Sequence, residues 1–216
     1  MVDREDTMIR GMTILLLLIL LLGCIERVER TPDGFDRAKI ITACDQIIDD
    51  FQAALRQELT TALARGGPEN AIYVCNVRAP AIADSFSQMA GIDIRRVSLR
   101  QRNSQYAPDS FETAVLKKFE AAGMSEPQSY SRLVFDSANV KRFRYMKEIK
   151  VGQLCLKCHG DPGAFPASLK AALAQNYPND QAVGHAVGDT RGAFSVVVSY
   201  PEAREIITAI LSEHGR

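Results

Sequence analysis

Cys155-Leu156-Lys157-Cys158-His159 is a C-x-x-C-H run, and it constrains the chain more than any other feature. Two thiols three residues apart, followed at once by a histidine, form the attachment pattern for c-type haem. The thiols add to the two vinyl groups of one haem, and the adjacent imidazole stands beneath the iron as proximal ligand. With five Cys and three His in 216 residues, chance makes such a run far rarer than one per chain. A bare C-x-x-C redox pair and a zinc site are the competing readings. Zinc lacks a second ligand pair, so one covalent haem c held through Cys155, Cys158 and His159 is the expectation.

The amino terminus supplies a compartment for that chemistry. Ile14 to Leu22 is an unbroken aliphatic stretch. It is too short to span a bilayer as a helix and has the length of a signal-peptide hydrophobic region. It runs into Leu21-Leu22-Gly23-Cys24, which resembles the bacterial lipobox. Residues 1–23 therefore read as a lipoprotein signal peptide, with Cys24 as the lipidated residue and 24–34 as a tether. Asp3, Glu5 and Asp6 are odd before a signal, and a start at Met8 leaves a normal basic segment. The expected location is the periplasmic or extracytoplasmic face, with the protein held to a membrane by its lipid. The 26 basic and 26 acidic residues cancel. Nucleic acid is thus not an expected partner, since its binders carry a basic excess.

Periodicity divides the remainder, residues 35–216, into helices and strands. Ile40, Cys44, Ile47, Ile48, Phe51, Leu55, Leu59 and Leu63 recur at three- and four-residue steps. They predict a long N-terminal helix stopped by Gly66-Gly67-Pro68. A second helix is expected over about 69–89, kinked or ended at Pro80. Ile92 and Ile94 have one parity and Val97 and Leu99 the other, which predicts a bulge or twist at Arg95-Arg96. Asp109 and Glu112 form a capping-box pattern before a helix bearing Phe111, Val115, Phe119 and Ala122, closed by Gly123. Tyr130–Phe135, Phe143–Val151 and Gly192–Tyr200 read as strands. A helix from Pro166 to about Gln175 and a terminal helix after Pro201 complete an α+β pattern with a mainly antiparallel sheet.

Spacing leaves the sixth iron ligand open among Cys44, Cys75, His185, His214, Met89, Met124 and Met146. Cys44 lies on the apolar stripe of the first helix, which suits a small buried hydrophobe. His185 lies among loop residues, and His214 is near the carboxyl end.

Several stretches then converge on one family. They are Ala71-Ile72-Tyr73-Val74-Cys75, Ala79-Pro80-Ala81-Ile82-Ala83, Arg95-Arg96-Val97-Ser98-Leu99 with Arg102-Asn103, Gly152-Gln153-Leu154 leading into the haem motif, Gly160-Asp161-Pro162, and Gly188 to Val196. Together they resemble the c-type haem proteins with a PAS-like fold, long catalogued as a domain of unknown function and typified by a cyanobacterial member. The resemblance implies an antiparallel sheet of about five strands flanked by helices and His/Cys axial ligation. It carries Cys75 over as the second ligand and places Arg96 and Arg102 near the haem, on its propionates. Where relatives carry an aromatic residue, this chain has His185.

A thiolate ligand donates electron density and holds ferric iron, which lowers the reduction potential relative to methionine. Two classes of function follow. One is a membrane-tethered carrier in electron transfer or redox signalling. The alternative is a haem-based sensor of a small gas or redox state that signals through a separate partner protein. Six-coordinate iron argues against an enzyme, and the sequence contains no acid–base constellation beside the motif.

Overall fold

The structure is a computed structural model that describes residues 36–88, 92–123, 126–199 and residue 208. The signal peptide, Cys24, the tether, the terminal helix after Pro201, Met89, Met124 and His214 lie outside the described residues. No helix among the described residues is long and apolar enough to cross a membrane.

Helix α1 runs Arg37–Tyr73, broken at Gly66 (φ −160°) and Gly67 (φ 71°) before Pro68. Gly67 takes the left-handed backbone that glycine tolerates, and Pro68 opens the next helical arm. The stripe predicted for the first arm is real. Ile40, Cys44, Ile47, Ile48 and Phe51 are buried, while Leu55, Leu59 and Leu63 are half-buried.

The second arm does not end at Pro80. It passes through a π-helical turn, Val74–Arg78, and continues as α2, Ala79–Ser87. Proline has no N–H, and its ring clashes with the carbonyl four residues back. Widening the preceding turn relieves that clash: Ala79 N donates to Val74 O, a five-residue step. π-turns of this kind frequently occur at functional sites, and this one carries Cys75.

Four strands follow in sequence: β1 Ile92–Val97, β2 Ser129–Phe135, β3 Lys141–Lys150 and β4 Thr190–Ser199. They form one antiparallel sheet in the order β1-β4-β3-β2. The sheet of about five strands implied by the resemblance is thus four-stranded among the described residues. These four are the segments with strand periodicity, and residues 177–189 run as a loop into β4.

The bulge expected at Arg95-Arg96 is absent. β1 pairs with β4 without a break, from Ile92 opposite Val198 to Val97 opposite Ala193. The parity switch has another cause, because both faces of the sheet are covered. Ile92, Ile94, Phe143, Tyr145, Val196 and Val198 point to the face under α1, where Phe51 meets Phe194 edge-on at 5.4 Å. Val97, Met146 and Ala193 point to the other face and pack on Val115, Leu116 and Phe119 of helix α3, Ser110–Ala122. The buried stripe of α3 uses Leu116, whereas the predicted Ala122 is exposed. The register shift in the sheet falls instead at the start of β4, between Ile149 and Lys150 of its partner strand. There Gly192 lies so close to Val97 O that any Cβ would collide with it.

Between β3 and β4 the chain forms a short helical turn Gln153–Cys155, helix α4 Leu156–His159, a turn Pro162–Ala164 and helix α5 Ala167–Asn176. A second small core holds this region to the helical arm. Ile72 packs with Phe165, Leu169, Leu173 and Tyr177, and Cys158 borders the cluster.

Candidate functional site

The C-x-x-C-H run lies on the Gln153–Cys155 turn and α4. Helical spacing puts Cys155, Cys158 and His159 on one side, at positions i, i+3 and i+4. Gly160 closes the helix: its N–H makes the last α-helical bond, to Leu156 O at 3.0 Å, and its backbone then turns extended. A Cβ at that position would stand 2.7 Å from the same oxygen. Cys155 and Cys158 are free, half-buried thiols. Burial pushes the Cys158 thiol up, opposed by the charge of Arg102 and reinforced by that of Cys75.

His159 is the best-defined group. Its Nδ1 stands 2.6 Å from Ala182 O. A carbonyl oxygen only accepts, so Nδ1 carries the proton and donates. The tautomer is thereby fixed, and the Nε2 lone pair is left for a metal. Burial holds the imidazole well below its ordinary pKa, and the charges of Arg191 and Arg102 add to the effect, so the ring is neutral.

Cys75 reaches this region from the π-turn of the helical arm. The residues beside it place it at the same cluster: Ile72 packs in the core that Cys158 borders, and Asn76 Nδ2 donates to Asn176 Oδ1 at 3.5 Å. Two other proposed ligands fall elsewhere. Cys44 is 1% exposed under the sheet, and burial raises its thiol to about 12. Met146 is fully buried in the core against α3.

The arginines surround the motif unequally. Arg102 is 8% exposed and pairs with Asp180 at 3.0 Å. It also donates to Cys158 O at 2.6 Å and Ala182 O at 3.3 Å. It is near the motif, as expected, but these hydrogen bonds go to protein. The Arg96 side chain makes no hydrogen bond or ion pair with a described residue, and its charge acts on Tyr106, Tyr177 and Arg191. Arg191 donates from Nη1 to Ser98 Oγ at 3.0 Å and Arg100 O at 3.2 Å. Burial, then Arg102 and Arg96, lower it to about 10. A buried guanidinium beside other cations favours an anionic group.

His185 was expected at the surface and is buried. Its ring meets that of His159 edge-on at 6.3 Å between centroids. Its backbone N–H donates to His159 O at 2.9 Å. Its Nε2 is buried without a hydrogen-bond partner among the described residues. Burial lowers its pKa, with Arg100 and Arg191 adding and Asp189 opposing.

Among the described residues no three His, Cys, Asp or Glu side chains gather to hold a bare metal ion. The donor set instead suits a group bound partly through carbon and partly through its metal. It offers two thiols three residues apart, one imidazole nitrogen, the Cys75 thiol on the neighbouring helical arm and several buried arginines. The family model described as Tll0287-like, Tll0287, matches residues 35–199. The chain belongs to the Tll0287-like family. That match spans α1 to β4 and encloses every described site residue, from Cys75 to Arg191. The crystal structure of the cyanobacterial heme-protein Tll0287 is similar, with a TM-score of 0.55 and 25% sequence identity. The alignment covers 76% of this chain and 95% of that one. No curated protein matches the chain.

The Tll0287-like site was only partly visible in the sequence. Arg191 lies within a stretch that carried the family resemblance, but nothing singled it out. Ala182 acts through its backbone carbonyl, which no residue type signals. Asp180 and Arg100 belong to no motif.

Proposed function

We propose that this member of the Tll0287-like family is an exported monohaem c-type cytochrome, lipid-anchored through Cys24 at the periplasmic face. Cys155 and Cys158 would hold the haem by thioether bonds, His159 Nε2 and Cys75 Sγ would ligate its iron, and Arg96 and Arg191 would serve its carboxylates. Its work is electron transfer or redox signalling with a separate partner protein. When bound, the haem supplies a one-electron iron couple.

One observation carries this reading. The Nδ1–H of His159 is committed to Ala182 O, and His159 ends the turn and helix that present the two thiols. That is the outer-sphere contact a metal-binding imidazole needs. The chain's residues then divide the work. Ala182 fixes the tautomer, and the aromatic and aliphatic cluster around Cys158 excludes water. The arginines favour the anionic form of whatever faces them. Cys75 brings a thiol that donates charge to ferric iron and lowers the potential.

Cys75→Ser tests the ligation. The ferric wild type is expected to show a low-spin thiolate-type absorption and electron paramagnetic resonance spectrum, and the variant to lose it. An unchanged spectrum in the variant would remove Cys75 from the iron.

The alternative, a haem-based sensor of a small gas or redox state, draws support from the π-turn that carries Cys75. A redox titration with and without carbon monoxide separates the two. A carrier keeps its potential under carbon monoxide, and a sensor binds the gas on reduction.

A further inference from the structure

Arg102 joins the two segments that hold the His159 imidazole. Its Nη2 donates to Cys158 O, the carbonyl immediately before His159, at 2.6 Å. The same nitrogen donates to Ala182 O at 3.3 Å. That Ala182 oxygen also accepts His159 Nδ1–H. Asp180 closes the loop: Oδ2 accepts Arg102 Nε at 3.0 Å, and Oδ1 accepts Ala182 N at 2.8 Å. The two charged side chains are 8% and 11% exposed. The neighbouring residues pin the same loop. Gln181 N donates to Gln101 O at 2.8 Å, and Arg100 donates to Gln181 O at 3.2 Å and to Val183 O.

We infer that Arg102, locked in place by Asp180, is the positioning residue for His159: it fixes the imidazole and raises the reduction potential of the haem held there. The inference rests on the haem reading given above. Two effects act in the same direction. A carbonyl already accepting from a cation is a weaker acceptor for a second donor, so Ala182 O draws less on Nδ1–H. The imidazole then keeps less anionic character and donates less charge to iron. A buried cation also favours the reduced centre, which carries less positive charge. Arg102 therefore opposes the thiolate of Cys75, and the potential reports the balance between them.

The test uses the full chain matured with haem, with haem content read by pyridine haemochrome absorbance and potentials by spectroelectrochemical titration. Arg102→Met is expected to lower the potential, and Arg102→Lys, which restores the charge, to return it towards wild type. Arg102→Gln, which keeps side-chain hydrogen bonding without the charge, is also expected to lower the potential and provides a test even where the methionine variant fails to fold. A potential unchanged in Arg102→Met or Arg102→Gln, or a lysine variant as low as the methionine variant, would each overturn the inference. Absence of haem from the wild type would sink both this inference and the proposed function. Haem-loaded variants with wild-type potentials would sink this inference alone.

Discussion

His159 has one ring nitrogen committed and one free, and Cys44 shows the contrasting case of a thiol with no such role. Its place on the apolar stripe of the first helix was legible from spacing alone, and the structure buries it to 1% exposure. Burial, with the charge of Asp45 adding, raises its pKa from 9.0 to about 12. A neutral thiol is therefore favoured in the folded state. The contribution is fully present below about pH 9 and is lost as pH rises towards 12. Cys44→Ala is expected to cost about 1 kcal/mol at neutral pH through lost apolar burial. Above pH 10 the order should reverse, since only the wild type must bury a group that ionises when unfolded. Urea midpoints at pH 7 and above pH 10 measure both; a wild type that keeps its full advantage in alkali would refute the account. Other residues were not legible at this scale. His185 looked like a loop histidine, and its burial follows from the 180–185 segment folding against the haem motif. That contact depends on the whole chain.

At the scale of elements, local chemistry was the most readable. The capping box of α3 was visible in the sequence, and both of its halves form. Glu112 N donates to Asp109 Oδ1, and Asp109 N donates to Glu112 Oε2, each at 2.8 Å. The pattern did not show that Glu112 is fully buried between Arg95 at 2.6 Å and Arg144 at 3.2 Å, pairs set by strand register. The predicted bulge in β1 had the same blind spot: parity cannot tell a bulge from a sheet covered on both faces. Pro80 was read as a kink because a π-turn leaves no compositional trace. Desolvation works to raise the pKa of Asp109, but the Glu112 N–H and Arg144 outweigh it, and the carboxyl sits below its ordinary 3.8. Its stabilising effect is present above that value and fades as pH falls through the lower folded value. Asp109→Ala is expected to cost about 1 kcal/mol at pH 7. The deficit should shrink below about pH 4. Thermal midpoints across that range check it, and a deficit constant into acid would assign the cost to something other than the ionised cap.

At the scale of the whole molecule, the site is where three separate parts of the chain meet. The helical arm brings Cys75, the segment after β1 brings Arg100 and Arg102, and the stretch from α4 to β4 brings the motif, Asp180 and Arg191. Residue types marked the motif, but only the fold brings the cations around it. Arg96, Arg100, Arg102 and Arg191 converge on a region where Asp180 and Asp189 are the acidic groups acting on them or on His185. The depression of Arg191 to about 10, caused first by burial and then by Arg102 and Arg96, is the sign of that crowding. A dianionic haem would offset it, so loading should stabilise the fold by charge and by the packing of the group. Cys155→Ala/Cys158→Ala, which removes both thioethers, is expected to lower stability by roughly 3 kcal/mol, about 10 °C in thermal midpoint for a chain of this size. Lost packing alone would produce a drop too, so Arg191→Met serves as the discriminating partner. In the haem-loaded protein that substitution removes a counter-charge to a carboxylate and should destabilise. In the Cys155→Ala/Cys158→Ala form it removes a buried cation crowded by two others, so it should cost less or even stabilise. Four thermal midpoints make this a double-mutant cycle. A coupling of zero would mean that Arg191 does not face the haem carboxylates, and the anionic group answering this cluster would have to be sought elsewhere.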